Sequence, residues 1–359
     1  MIEINKESKE KAFLHKILWR KRMILVTGGA GYIGSHTCIE LIEQGHEIVV
    51  VDNLINSTVE AISRIEEITG KSVAFIEGDV RDESVLCDIF NQFKIESVIH
   101  FAGLKSVGES SNYPLKYFDN NISGILTLLK VMGVNGCKNL VFSSSAAVYG
   151  SPSTLPVAET APLSVLNPYG RSKLIIEKIL EDLYAADSLW NIAVLRYFNP
   201  VGAHSSGLNG EYPNNIPNNL FPIISEAAIG RREVVDIYGG DYPTKDGTGV
   251  RDYIHVMDLA RGHISALKMF SEKGCIFAVN LGTGQGYSVL EIIREFERVS
   301  GRKVPYKIVE RRMGDSASCY ADVTYAKTLM GWSSEISLTQ MCEDQWRWQS
   351  HLSPENISN

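Results

Sequence analysis

Tyr169 is followed four residues later by Lys173, and Ser145 lies upstream of both. A phenol, an amine and a hydroxyl are the groups that hydride chemistry on a sugar alcohol requires. The phenol takes the alcohol proton as hydride leaves for a nicotinamide. A free tyrosine has a pKa of about 10, too high for a good base near neutrality. A neighbouring ammonium stabilises the phenolate and lowers that value. Positions i and i+4 share one helix face, so the spacing sets Lys173 beside Tyr169. Ser145 closes the run Leu140-Val141-Phe142-Ser143-Ser144-Ser145, and Tyr169 opens a helical stretch after Asn167-Pro168. Both are therefore expected at one strand-end crevice.

These groups need a frame, and the upstream sequence supplies one. Met23–Thr27 is a short apolar run ending in the turn Thr27-Gly28-Gly29-Ala30-Gly31-Tyr32-Ile33-Gly34. Tyr32–Gln44 has helical periodicity, and Gly45 ends it. Gly28, Gly31 and Gly34, between a buried strand and a helix start, let the backbone approach a pyrophosphate at a positive helix end. Asp52 stands at the end of the second strand, 18 residues after Gly34. An acid there accepts hydrogen bonds from an adenosine ribose diol and repels a ribose phosphate, which favours NAD over NADP.

Further strands are expected at Glu47–Val51, Val73–Glu77, Ser97–Phe101, Leu140–Ser143 and Ile192–Arg196, with helices between them. That alternation predicts an α/β fold, a doubly wound parallel Rossmann sheet with right-handed crossovers. Ligands of such sheets bind at the carboxyl ends of strands. Asp79, after the third strand, is placed to meet an adenine amine. Phe101-Ala102-Gly103-Leu104-Lys105, after the fourth, is placed to line the pyrophosphate and the nicotinamide ribose. Past Phe198 the texture changes. Asn199–Pro222 is rich in Gly, Asn and Pro and reads as loop and turns. Val234–Tyr238, Ile276–Asn280 and a helix over Val289–Val299 read as a smaller α/β substrate-capping domain. The expected organisation is a leader over 1–22, a dinucleotide domain over 23–198, a substrate domain mainly over 199–348 with residues near 251–270 packing back on the first, and a tail over 349–359.

The net charge of −7 gives no hint of nucleic-acid binding. No apolar run approaches the roughly 20 residues of a membrane helix. Six scattered cysteines without a CxxC pair argue against a metal site or a disulfide framework and fit a reduced, cytoplasmic setting. Residues 1–22 hold seven basic and three acidic side chains with no apolar core of signal-peptide length. They read as a flexible leader, or as an upstream start before a natural one at Met23, in preference to an amphipathic arm for a partner or membrane surface.

The stretches TGGAGYIGSH, HFAGLKSVGES, FSSSAAVYG, NPYGRSK, LRYFNPVGAH, IPNNL and DGTGVRDYIHVMDLA, spread from Met23 to about Trp348, resemble the UDP-hexose 4-epimerases of the extended short-chain dehydrogenase/reductase family. The resemblance implies tightly held NAD and a UDP-sugar. Tyr169 would remove the 4-hydroxyl proton, Ser145 would bond the 4-oxygen, and Lys173 would orient the nicotinamide ribose. The 4-keto sugar would then turn over in the pocket and take the hydride back on its other face. Cofactor contacts carried over from the family are Tyr32, Ile33, Asp52, Asn53, Asp79, Val80, Phe101, Ala102, Lys105, Asn120 and Phe198, beside Gly103 of the same segment. Substrate contacts are Asn199, Asn218, Asn219, Leu220, Asp236, Tyr238, Arg251, Arg312 and Asp315, with the arginines suited to fork onto pyrophosphate oxygens. A homodimer built from helices around Asn112–Lys130 and Tyr169–Tyr184 is the family's usual assembly. Cys319 falls where some members carry a tyrosine that fills the space of a sugar N-acetyl group. The smaller side chain predicts that N-acetylated UDP-hexosamines are accepted beside plain UDP-hexoses.

A nucleotide-sugar 4,6-dehydratase or decarboxylase needs an acid near Ser145, yet Ala146-Ala147 follow it. An NAD-sensing binding protein on the same fold need not keep Ser145, Tyr169 and Lys173 together.

Overall fold

The computed structural model describes residues 22–212, 217, 219–312 and 315–352. The leader up to residue 21, Asn218 and residues 353–359 of the tail lie outside them. In chain order the strands are β1 (Arg22–Thr27), β2 (Glu47–Asp52), β3 (Ala74–Glu77), β4 (Lys94–His100), β5 (Asn139–Ser145), β6 (Asn191–Tyr197), β7 (Asn199–Val201), β8 (Val235–Tyr238), β9 (Val250–Arg251), β10 (Tyr253–His255), β11 (Cys275–Leu281), β12 (Tyr287–Ser288), β13 (Tyr306–Val309) and β14 (Ser318–Cys319). The helices are α1 (Tyr32–Glu43), α2 (Glu60–Thr69), α3 (Glu83–Gln92), α4 (Val107–Asn112), α5 (Pro114–Phe118), α6 (Gly124–Val134), α7 (Pro168–Ala186), α8 (Leu220–Ala228), α9 (Val256–Leu267), α10 (Val289–Ser300), α11 (Thr324–Met330) and α12 (Leu338–Leu352).

The main sheet has seven strands in the order β11-β6-β5-β4-β1-β2-β3, every pair parallel. Its strands read as apolar runs without alternation because both faces are covered. Ile24, Val26, Val50 and Ile99 pack with α1, α2 and α9 on one face. Leu25, Val49, Val51 and Val98 pack with α3, α6 and α7 on the other. Strand order reverses between β1 and β4, and a crevice opens there beyond their carboxyl ends.

The seventh strand corrects the sequence reading. Ile276–Asn280 was expected in the smaller unit, but β11 extends the main sheet by pairing with β6 from Cys275↔Asn191 to Leu281↔Tyr197. A largely apolar run carries no label of the sheet it joins, and β6, buried along its whole length, needed cover on its outer edge. The stretch Asn199–Pro222 is also less irregular than expected. Asn199–Val201 pairs with Tyr253–His255, and Leu220–Pro222 already belong to α8, whose first turn tolerates the proline. The second lobe has its own core of Phe221, Ile224, Val235, Ile237, Ile292, Phe296 and Met341.

Candidate active site

The chain leaves β1 through Gly28, whose φ is +70°. A Cβ on Gly28 would lie 2.6 Å from the Ala102 nitrogen, so glycine alone lets this turn touch the segment beyond β4. A Cβ on Gly34 would lie 2.3 Å from the Gly28 carbonyl oxygen. The N-cap of α1 is Gly31, which has no side chain to spend on the leading N–H groups. Gly28, Gly31 and Gly34 all line the cleft, and this cradle of bare backbone at a helix N-terminus fits a dinucleotide pyrophosphate.

Asp52 is 8% exposed and is already at work inside the protein. Its Oδ2 accepts from the Ala30 N–H at 3.0 Å, and its Oδ1 accepts from the Leu54 N–H at 3.0 Å and the Ser57 hydroxyl at 2.8 Å. Two carboxylate oxygens offer about four lone-pair sites, so capacity for a ribose hydroxyl remains. Asn53 donates to Asp79 Oδ2 at 3.0 Å. Arg81 grips the Asp79 carboxylate at 2.8 and 3.0 Å and, with these neighbours, pulls its pKa down to about 2. Asp79 does not itself line the cleft; it steadies Asn53, which does.

The cleft measures about 620 Å³ and runs from Asp52 and Asn53 past Phe101, Ala102, Gly103, Lys105 and Asn120 to Ser145, Tyr169, Lys173 and Phe198. Tyr32, Ile33 and Val80 complete its dinucleotide side. A cap and a close approach shape the start of α7 beside the turn after β5. The Asn167 side-chain oxygen caps the helix by accepting from the Gly170 N–H at 2.8 Å, and a Cβ on Gly170 would come within 2.9 Å of the Ala147 carbonyl oxygen. The glycine next to Tyr169 thus permits the close approach that brings its phenol to Ser145.

Burial pushes the Tyr169 phenol above its ordinary value; a hydrogen bond with Ser145 and the positive charge of Lys105 oppose that rise. Burial brings Lys173 down to about 8. Its ammonium donates to the Ser143 carbonyl at 2.6 Å and lies 6.0 Å from the centre of the Tyr169 ring. The helical spacing does place Lys173 beside the ring. The help given to the phenolate within the protein, however, comes from Ser145 and Lys105.

The substrate-side residues fall into two groups. Asn219 reaches the cleft and donates to Glu211 at 2.7 Å. Cys319, Arg251 and Asp315 meet outside its lining, as do Arg312 and Tyr238. Cys319 is paired with Arg251 across β14 and β9, Arg251 lies 3.7 Å from Asp315, and the Arg312 guanidinium sits 3.7 Å above the Tyr238 ring. Asp236 shares the open face of β8 with Tyr238 and pairs with Lys307 at 3.3 Å. Leu220 packs into the second-lobe core, and Asn199 is exposed on β7. Cys319 packs against the apolar cluster that contains Phe198, a residue of the cleft wall.

A family profile described as GDP-mannose 4,6 dehydratase matches residues 25–345. The UDP-glucose 4-epimerase of Bacillus subtilis is 56% identical over 327 residues, covering 91% of this chain and 96% of the relative. The chain belongs to the UDP-glucose 4-epimerase family. Among solved structures, a UDP-glucose-4-epimerase from Stenotrophomonas maltophila with bound NAD and formylated UDP-arabinopyranose superimposes with a TM-score of 0.90 at 50% identity, covering 93% of this chain and 99% of that one. The UDP-glucose 4-epimerase of Bifidobacterium longum in complex with NAD+ and UDP gives 0.89 at 50% identity, with the same coverage.

Within this epimerase fold the structure adds residues that spacing did not reveal. Asn121 is buried in the π-helical turn (Asp119–Ser123) that joins α5 to α6. Its carbonyl oxygen accepts from the Leu104 N–H at 2.8 Å, and its amide donates to the Leu104 carbonyl at 3.1 Å and to Ser172 at 3.1 Å. It clamps the segment after β4 onto α7. Glu211 takes hydrogen bonds from Lys105 at 2.9 Å and from Asn219, joining the two sides of the cleft. Neither residue stands in a short motif, and only the polar residue types in apolar or turn sequence hinted at them.

Proposed function

We propose that this protein is an NAD-dependent 4-epimerase of UDP-hexoses, acting on UDP-glucose and UDP-galactose through a 4-keto sugar. The observation that carries the reading is the meeting of Ser145, Tyr169 and Lys173 in the one cleft that begins at the glycine cradle and Asp52. NAD, when bound, supplies the hydride acceptor and donor. Gly28, Gly31, Tyr32, Ile33 and Gly34 would hold its pyrophosphate side, Asp52 and Asn53 its adenosine, and Lys105, Asn120, Lys173 and Phe198 its nicotinamide half. Ser145 holds the sugar 4-oxygen by a hydrogen bond. Tyr169 removes the 4-hydroxyl proton as a phenolate and returns it after the sugar has turned over. The Ser145 hydrogen bond and the charge of Lys105 favour that phenolate, and Lys173, cationic below about pH 8, would orient the nicotinamide ribose. Arg251 and Arg312 would grip the diphosphate while the sugar stays free to rotate.

The reading extends to N-acetylated UDP-hexosamines. Cys319 packs against the cluster that holds Phe198, and a thiol there, smaller than the tyrosine some members carry, would leave room at the sugar's 2-position for an N-acetyl group. Ala146 and Ala147 beside Ser145 offer no acid for elimination, which favours epimerisation over the dehydratase chemistry named by the family profile. We further infer a homodimer through the helices on either side of the catalytic wall, where Tyr113, Leu115, Leu126 and Ile175 leave apolar surface exposed. Six free thiols fit a reduced cytoplasmic setting.

The experiment is turnover of UDP-glucose and of UDP-N-acetylglucosamine, with no NAD added, followed by chromatography of the epimers. Conversion of both is expected. Conversion of UDP-glucose alone would overturn the extension to acetylated sugars, and no conversion even with added NAD would overturn the epimerase reading.

A further inference from the structure

Lys173 has a partner one helical turn further along α7. Glu177 is 2% exposed, and its carboxylate is held from two strands. Arg196 of β6 donates to it at 2.7 and 3.2 Å, and the Ser144 hydroxyl of β5 donates at 2.5 Å. Ser144 stands between Ser143, whose carbonyl accepts from Lys173, and Ser145, which hydrogen-bonds Tyr169. Arg196 continues the chain of bonds to the Tyr149 hydroxyl at 2.9 Å, and Tyr149 donates to Asn280 of β11 at 2.7 Å. A buried ion pair is costly to desolvate and is weak support for stability by itself. The place of this one suggests another use, because its links end on the two elements that carry the reacting groups.

We propose that Glu177 is a positioning residue for the epimerisation proposed above: clamped by Arg196 and Ser144, it fixes the end of β5 against α7 and supplies the negative charge that keeps Lys173 an ammonium in a dry wall. The other groups around Lys173 do not supply that charge. On its own helix it has Tyr169. From β5 come the Ser143 carbonyl and the Phe142 ring, the latter 4.9 Å away. His100 of β4 is held neutral, its pKa lowered to about 3 by burial and then by Lys173 itself. Tyr197 of β6 is buried and protonated, and Arg196 and Lys105 are cations. Burial brings Lys173 down to about 8, and the Glu177 charge opposes that fall.

The test compares wild-type holoenzyme with Glu177→Gln and Ser144→Ala. The glutamine keeps the shape and the hydrogen-bond acceptor but removes the charge. Its alkaline limb of kcat, set by loss of the Lys173 proton, is expected to move down by about one pH unit. Acetylation of Lys173 by acetic anhydride, followed against pH by mass spectrometry, should show the same displacement without any need for turnover. Ser144→Ala keeps the charge and cuts the strut. It is expected to lower kcat roughly threefold or more with the limb in place. A limb and a Lys173 titration that stay put in Glu177→Gln overturn the proposal. Should that variant fail to fold, wild-type kcat in Ser144→Ala overturns it instead. A wild-type protein that turns over no UDP-hexose sinks the epimerase reading alone, and the acetylation titration still decides whether Glu177 holds the amine.

Discussion

At the scale of single residues the site depends on three environments. Tyr169 is half-buried in the cleft wall, and its phenol needs help to ionise. Replacing it by phenylalanine removes the acid–base group and should lower kcat by about 10²- to 10⁴-fold, with the fold and the bound cofactor unchanged by absorbance and thermal unfolding. Cys319→Tyr tests the room beside Phe198. UDP-glucose turnover should survive within a few fold, while UDP-N-acetylglucosamine turnover falls about tenfold or more. Equal losses on both sugars would remove Cys319 from specificity. Asp79 gives a pH-dependent contribution to stability. Arg81 and Asn53 depress its folded pKa from the ordinary value of 3.8 to about 2. A depressed carboxylate stabilises the fold at pH above its unfolded value, and that stabilisation disappears as pH falls from about 4 to 2. Asp79→Asn should therefore cost about 1 kcal/mol at pH 7 and little at pH 2, the figure being discounted for solvent screening. Denaturant midpoints at the two pH values would show whether the cost follows the charge.

At the scale of elements the glycine turn and α7 do the positioning. Gly34→Ala drives a methyl group against the Gly28 carbonyl and the Gly29 Cα. It should destabilise the protein by about 1–3 kcal/mol and weaken cofactor retention, measured by thermal unfolding and by the NAD content of the purified protein. A variant that unfolds like wild type and keeps its cofactor would mean that the turn relaxes. This level was also the most readable from sequence. The glycine turn, the strand-end acid at Asp52 and the i, i+4 pair of Tyr169 and Lys173 act through local spacing, and local spacing is what a sequence displays. Asn121, Glu177 and Glu211 act across gaps of 17 to 106 residues, through Leu104, Arg196, Ser144 and Lys105. Such contacts leave no periodic trace. Gly170 escaped notice for the same reason, because the carbonyl it must avoid belongs to Ala147 on another element.

At the scale of the whole molecule the parallel sheet was legible from strands alternating with helices, and its outer edge was not. Each strand from β1 to β6 announces itself by an apolar run near a turn. Membership of β11 depends on which edge remains open once the others have assembled, a property of the assembly and not of Cys275–Leu281. The second lobe is tied to the first by several fastenings. The Tyr32 hydroxyl donates to the Gly202 carbonyl at 2.7 Å, Glu211 takes Lys105, and the Arg64 guanidinium lies 5.3 and 5.0 Å from the Tyr212 and Trp348 rings. The exposed apolar side chains at Tyr113 and Leu115 belong to this scale too. Sedimentation should report twice the 39.8 kDa of one chain, and Leu115→Asp should shift the boundary toward a single chain. A wild-type protein that sediments as one chain would withdraw the dimer.

The late arrival of β11 also has a consequence for synthesis on the ribosome. When Tyr197 leaves the exit tunnel, β6 has β5 on one side and nothing on the other; its partner ends at Leu281. At about 5–20 residues per second, the intervening stretch of about 80 residues takes roughly 4–16 s to make. For that interval the nascent chain presents a largely apolar strand with a bare row of amides and carbonyls, the form of surface that chaperones bind and that neighbouring chains on a polysome pair with. The speed of translation across residues 198–281 is therefore expected to set the yield of folded protein, and slowing codons placed there should raise the aggregated fraction.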